Sequence, residues 1–200
     1  MNTTPIRVLV VDDHATVREG TRAFLEEISG IKVIGDAANG KEALRLVQSL
    51  HPDVILLDLM MPEMDGVETI QQIQLQSQNE NTRIVVMTSF IAEEKLFSAL
   101  MVGANNYLLK DSSPDEMVEK IRQSYHSQSD LHPKIARKIL DTFTNIHHDE
   151  ALTSHQTDIL ELLSTGITAT EAAQQIGIQE AELRRQVFQI LQKLHQFSKT

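Results

Sequence analysis

The sequence predicts an open α/β fold built on a five-stranded parallel sheet, followed by a small all-α unit. Three observations carry that expectation. Short apolar runs recur through roughly the first 110 positions, helical stretches separate them, and beyond residue 126 the pattern turns helical throughout. Val8-Leu9-Val10-Val11, Val54-Ile55-Leu56-Leu57, Ile84-Val85-Val86-Met87 and Tyr107-Leu108-Leu109 are continuously apolar rather than alternating. Such runs suit strands buried on both faces, as in a parallel sheet covered by crossover helices.

In order, the pattern places strands at 6–11, 31–36, 54–57, 83–88 and 106–109, with helices at 15–28, 40–50, 66–77, 93–103 and 114–127. Ala37-Ala38-Asn39-Gly40-Lys41 and Pro62-Glu63-Met64-Asp65-Gly66 supply turn chemistry between them. Polar residues close the apolar runs: Asp12 and Asp13 the first, Asp58 the third, Thr88 the fourth and Lys110 the fifth. Crossover connections keep all the strand ends on one edge, which is where open α/β sheets bind ligands. Three carboxylates, a hydroxyl and an ammonium are thus expected to converge there from distant parts of the chain.

At these residues the sequence resembles a known family. Val11-Asp12-Asp13-His14, the block Leu57-Asp58-Leu59-Met60-Met61-Pro62-Glu63-Met64-Asp65-Gly66, Met87-Thr88-Ser89 and Tyr107-Leu108-Leu109-Lys110 look like the receiver domain of two-component response regulators. The resemblance covers roughly the first 125 residues. It implies a flavodoxin-like (CheY-like) receiver with strand order 2-1-3-4-5, phosphorylated by a sensor histidine kinase on Asp58. It also implies Mg²⁺ held by Asp12, Asp13, Asp58 and the backbone carbonyl of Met60, since Mg²⁺ favours carboxylates, carbonyls and retained waters. Lys110 and Thr88 would contact the phosphoryl oxygens, and Thr88 and Tyr107 would form the switch. His14 has no assigned role and reads as a surface or capping histidine. Met60 and Phe90 are apolar where side chains that position a hydrolytic water often stand, which predicts slow loss of the phosphoryl group.

Composition narrows the setting. Cysteine is absent, which excludes disulfides and thiolate metal sites and fits a reducing compartment. The first strand is expected by Ile6, leaving no room for a signal peptide, and no apolar stretch approaches a membrane span. A cytoplasmic protein with no membrane contact is expected. An enzymatic output is not: aspartyl-phosphate hydrolases need a second Asp two past the nucleophile, where this chain has Met60, and there is no glycine-rich dinucleotide or P-loop pattern.

The first domain is placed at 1–126, a linker with an amphipathic helix (Lys134 to Phe143) at 127–149, and a second domain at 150–200. His147-His148-Asp149 reads as solvated linker, because adjacent histidines point in different directions. From Leu152 onward the chain resembles the LuxR-type helix-turn-helix domain of the NarL group. Thr153 with Gln156 and Thr168 with Glu171 read as capping boxes, and Ile176-Gly177-Ile178 as the turn. Leu183, Val187, Ile190, Leu191 and Leu194 form one stripe of the recognition helix. Arg184, Arg185 and Gln186 are the expected DNA-contacting residues, on its outer face. Departures from that family are His155-Gln156, Ala169-Thr170, the acidic Glu180 and Glu182, and an end at Ser198-Lys199-Thr200 where a fourth helix would begin. The net charge of −10 gives no basic footprint for nucleic acid. Two outputs follow: a DNA-binding transcription regulator that dimerises on phosphorylation, or a regulator whose degenerate helix-turn-helix binds protein instead.

Overall fold

The computed structural model describes residues 4–75, 81–88, 93–144 and 152–197. Five strands, β1 (Ile6–Val11), β2 (Ile31–Ala37), β3 (Val54–Asp58), β4 (Arg83–Thr88) and β5 (Asn106–Leu109), form one sheet in the order β2-β1-β3-β4-β5. All its neighbours are parallel. Between them run α1 (Ala15–Glu26), α2 (Gly40–Leu50), α3 (Gly66–Gln74) and α4 (Glu93–Met101), and α5 (Pro114–Tyr125) follows β5. The expected topology is the observed one.

Side-chain alternation sends two apolar layers to opposite faces. Val8, Val10, Leu56, Val85, Met87 and Leu108 pack with Leu25 of α1 and Ile121 of α5. Leu9, Val11, Ile55, Leu57, Ile84 and Val86 point the other way and are equally buried. This double burial explains why the runs are continuously apolar.

Caps fix where the helices begin. The side chains of Asn39, Asp65 and Ser113 accept from the backbone N–H of Glu42, Glu68 and Glu116, opening α2, α3 and α5. Several boundaries differ from expectation: α1 ends at Glu26, β2 at Ala37, α3 at Gln74 and α4 at Met101. β3 runs through Asp58, which still pairs with Met87, and α5 stops at Tyr125 because Ser127 adopts a left-handed backbone (φ 55°).

The chain divides into two compact units, Met1–His126 and Ser127–Thr200. The second contains α6 (Pro133–Thr144), α7 (Ser154–Ser164), α8 (Ala169–Ile176) and α9 (Glu180–Phe197). The sequence places α6 in a linker. In the structure α6 packs along α7, burying Ile135, Ala136, Ile139, Leu140 and Phe143, so it belongs to the second unit. Both capping boxes form, at Thr153 with Gln156 and at Thr168 with Glu171. Gly177 ends α8 at φ 81°, a conformation that costs glycine no Cβ clash. The expected stripe of α9, from Leu183 to Leu194, is buried. Among the described residues no helix is long and apolar enough to cross a membrane. Phe90, the His147-His148-Asp149 cluster and the Ser198-Lys199-Thr200 end lie outside the described residues.

Gly66 makes the closest approach between a helix start and the sheet edge. A Cβ there would sit 2.6 Å from the carbonyl oxygen of Asp58 and 2.7 Å from the Cα of Leu59. Both are backbone atoms that cannot rotate away. Gly66→Ala is therefore expected to cost about 2 kcal/mol of stability, in the range of overpacking changes. Urea denaturation of the two proteins measures it.

Candidate functional site

The residues that close the strands meet at one edge, held there by backbone bonds that continue the ladders past the strands. Asp12 N–H donates to the Ala37 carbonyl (3.2 Å), Leu59 N–H to the Met87 carbonyl (3.2 Å) and Lys110 N–H to the Thr88 carbonyl (2.8 Å). Asp58, Thr88 and Lys110 are thereby placed beside one another by register rather than by side-chain contact. Asp12 and Asp58 are buried, and Thr88 is buried at the last position of β4.

Lys110 joins the acidic groups. Its Nζ donates to Asp12 Oδ2 and to Asp58 Oδ2, each at 2.7 Å, across 98 and 52 residues of sequence. Burial by itself would lower the Lys110 pKa, but the hydrogen bonds and the charges of Asp12 and Asp58 outweigh it, and the pKa is raised above its ordinary 10.5. A raised amine pKa contributes stability that is complete below 10.5 and is lost as pH rises through the folded value. The bridge is therefore intact throughout the neutral range.

The other carboxylate oxygens are directed by the backbone. His14 N–H donates to Asp12 Oδ1 (2.8 Å) and Met60 N–H to Asp58 Oδ1 (3.1 Å). The second bond folds the chain so that Met60 follows immediately on the edge. Ligand atoms of Asp12, Asp13, His14 and Asp58 all lie within 4.8 Å of one another. Asp13 Oδ1 is buried and, among the described residues, receives no hydrogen bond. A buried carboxylate oxygen without a donor, beside two more carboxylates, fits a divalent cation, which would be bound through oxygen.

One residue here escaped sequence reasoning. Arg18 on α1 donates from Nη1 to the Asp12 carbonyl (2.7 Å) while its Nε meets Asp36 (3.1 Å), bracing the backbone under the acidic pair. Its only sequence signal is helical spacing from His14. His14 itself occupies the N-cap of α1 but makes no side-chain capping bond; its ring lies against Asp13 and Asp12. Tyr107 is half-buried in β5 with the Lys120 ammonium 5.9 Å from its ring centroid.

Residues 8–122 match the family described as the response regulator receiver domain. The chain belongs to the response-regulator family. It is 39% identical over 193 residues to the transcriptional regulatory protein LiaR of Bacillus subtilis (strain 168), covering 94% of this chain and 90% of LiaR. It is 35% identical to the response regulator protein VraR of Staphylococcus saprophyticus, over 95% of this chain and 90% of VraR. The solved two-component response regulator of the LuxR family from Aurantimonas sp. SI85-9A1 is 31% identical, with a TM-score of 0.61, and covers 70% of this chain and 99% of that one. These likenesses place the chain in the NarL/LuxR group.

In the second unit one expectation is corrected. Arg184 does not stand on the outer face of α9. Its side chain is 18% exposed, and its guanidinium is taken by Asp130 and by Glu180 Oε1, the latter 2.7 Å from Nη2. Ser129 N–H also donates to the Arg184 carbonyl (3.1 Å), so the segment before α6 is tied to α9 at this residue. The physical reason is position: Arg184 lies one turn before the buried Val187 and so borders the apolar stripe. Arg185 is 54% exposed and pairs with Glu182 at 2.8 Å. Gln186 is half-buried between Glu182 (3.1 Å) and Gln156 (3.5 Å). Gln156, itself buried, also accepts from Lys193 (2.9 Å) and so locks α7 to α9.

Lys110→Met tests how much the bridge carries. It would leave Asp12 and Asp58 buried together with no cation between them. The variant is expected to lose about 3 kcal/mol, as when one partner of a buried ion pair is removed. Urea denaturation in a chelating buffer measures the loss.

Proposed function

We propose that this protein is a phosphorylation-switched transcription regulator of the cytoplasm. Asp58 takes a phosphoryl group from the phosphohistidine of a sensor kinase, and the second unit binds DNA. The observation that carries the reading is the Lys110 bridge between buried Asp12 and Asp58 at the sheet edge. In the reaction an Asp58 oxygen forms a bond to phosphorus and the phosphorus–nitrogen bond of the kinase histidine breaks. The imidazole leaves with the electron pair and takes a proton from solvent.

Asp12, Asp13, Asp58 and the Met60 carbonyl would hold Mg²⁺, which when bound neutralises the approaching phosphoryl oxygens so that a weak carboxylate nucleophile can reach phosphorus. The chain's own groups do the rest. Lys110, already within 2.7 Å of Asp58, offers its ammonium to the new oxygens. Thr88 donates its hydroxyl to another, and Tyr107 turns toward the space that Thr88 leaves. The added charge of about −2 thereby becomes a change in the face formed by α4 and β5, through which the phosphorylated form dimerises. Beyond its own phosphoryl transfer the protein has no enzymatic output.

A second reading, protein binding in place of DNA binding, is favoured by one observation: Glu180, Asp130 and Glu182 already occupy Arg184 and Arg185. The name of LiaR, a transcriptional regulatory protein, supports transcription, and the exposure of Arg185 keeps one cation of α9 within reach of phosphates.

A small-molecule phosphodonor is expected to add one phosphoryl group, read by intact-protein mass, in Mg²⁺ and none in a chelator. Asp58→Ala should take up none. Full incorporation in that variant would move the site elsewhere.

DNA binding is expected to depend on Arg185. In fluorescence anisotropy on duplex DNA across a salt series, Arg185→Ala should reduce the slope of log K against log salt by about 1, the share of one phosphate contact. A parent protein with no salt-dependent binding would overturn the DNA-binding reading.

A further inference from the structure

His14, which the sequence leaves without a role, sits at the rim of the acidic pocket. Its Nδ1 lies 2.7 Å from Asp13 Oδ1 and 3.4 Å from Asp12 Oδ1. The shorter contact has hydrogen-bonding distance without hydrogen-bonding direction: Asp13 Oδ1 is buried and, among the described residues, no group donates to it. The imidazole nitrogen and the carboxylate oxygen have the separation of neighbouring ligands around one ion. Adjacent ligands of an octahedral ion bound at about 2.1 Å stand about 3 Å apart. The ligand atoms of Asp12 and Asp58 complete a set lying within 4.8 Å.

We propose that His14 supplies a nitrogen ligand to the divalent cation of this pocket, so that the site selects first-row transition ions over Mg²⁺, Ni²⁺ far more than Mn²⁺. The inference rests on the reading of Asp13 and Asp58 as cation ligands and adds a donor of a different chemical class to them. Imidazole suits Ni²⁺, Zn²⁺ and Cu²⁺, whereas carboxylate, carbonyl and water suit Mg²⁺, and affinity for a mixed site rises along the first row. Mg²⁺ keeps its waters and its oxygen ligands, so the ring is a bystander to Mg²⁺ and a ligand to the others. The ring is 67% exposed, so it can settle onto an ion without disturbing the packed sheet. His14 N–H remains bonded to Asp12 Oδ1 at 2.8 Å, which keeps the ring's origin at the pocket rim.

The test uses the full chain carrying His147→Gln and His148→Gln, so that the adjacent histidines bind nothing. Pulsed electron paramagnetic resonance on bound Mn²⁺ is expected to show nitrogen-14 modulation that excess Mg²⁺ displaces, and His14→Ala should abolish it. By calorimetry His14→Ala should weaken Ni²⁺ binding by about tenfold or more, with Mg²⁺ binding changed less than about threefold because that ion retains its oxygen ligands. A parent spectrum without nitrogen modulation, or an unchanged ratio of Ni²⁺ to Mg²⁺ affinity, overturns the proposal. Asp13→Asn separates the two levels of the argument. If it abolishes Mn²⁺ binding while the parent shows no nitrogen coupling, the pocket stands and the role of His14 falls; if Mn²⁺ binds Asp13→Asn as tightly as the parent, the pocket reading falls as well.

Discussion

Three carboxylates gathered at one sheet edge repel one another, and the Lys110 ammonium between Asp12 and Asp58 is what makes their company tolerable. At 2.7 Å each contact has a gross attraction of about 6 kcal/mol at an effective dielectric of about 20. Desolvating the ions costs several kcal/mol apiece. The two terms are of similar size, so the bridge adds little net stability. Its consequence is local: it spans the edge from the end of β5 to the ends of β1 and β3 and presents Asp58 with one oxygen occupied by Lys110 and the other by the Met60 N–H. The site is a charge arrangement that the apolar sheet holds in place.

The sheet can do this because its register extends beyond the strands. Met87 pairs with Asp58, Leu109 pairs with Thr88, and Lys110 N–H returns to the Thr88 carbonyl. A slip of one residue in β5 would turn Leu108 out of the core and move Lys110 off the edge, so the packing of Leu108 with Ile121 and Leu25 is also what positions the ammonium. Fold and chemistry are specified by the same alternation.

Much of this was legible in the sequence. Parallel strands buried on both faces need uninterrupted apolar runs, and the residues that end Val8–Val11, Val54–Leu57, Ile84–Met87 and Tyr107–Leu109 are necessarily edge residues. Capping boxes were legible for a similar reason, because they are local: Thr153 with Gln156 and Thr168 with Glu171 need no tertiary partner. Contacts made at long range were not. Nothing in the text around Arg184 announces Asp130, more than fifty residues away, and the membership of α6 in the second unit depends on its packing with α7. Arg18 supports Asp12 through a backbone carbonyl, a partner every residue possesses and no sequence pattern marks.

The proposed switch can be driven by modest energies. Moving an equilibrium from 1:99 to 99:1 takes about 5.5 kcal/mol of differential interaction. A hydrogen bond to a charged group contributes about 1.5 to 3 kcal/mol, so the proposed bonds from Lys110 and Thr88 to a phosphoryl group would supply most of that without any change in the core. Lys110 would turn from Asp58 to the phosphoryl oxygens, an exchange of one anionic partner for another that leaves no buried charge unpaired. On the proposed reading the apolar layers around Leu56 and Val85 can stay rigid while the polar edge exchanges partners, and the rearrangement would fall on the end of β4, on β5 and on the neighbouring α4.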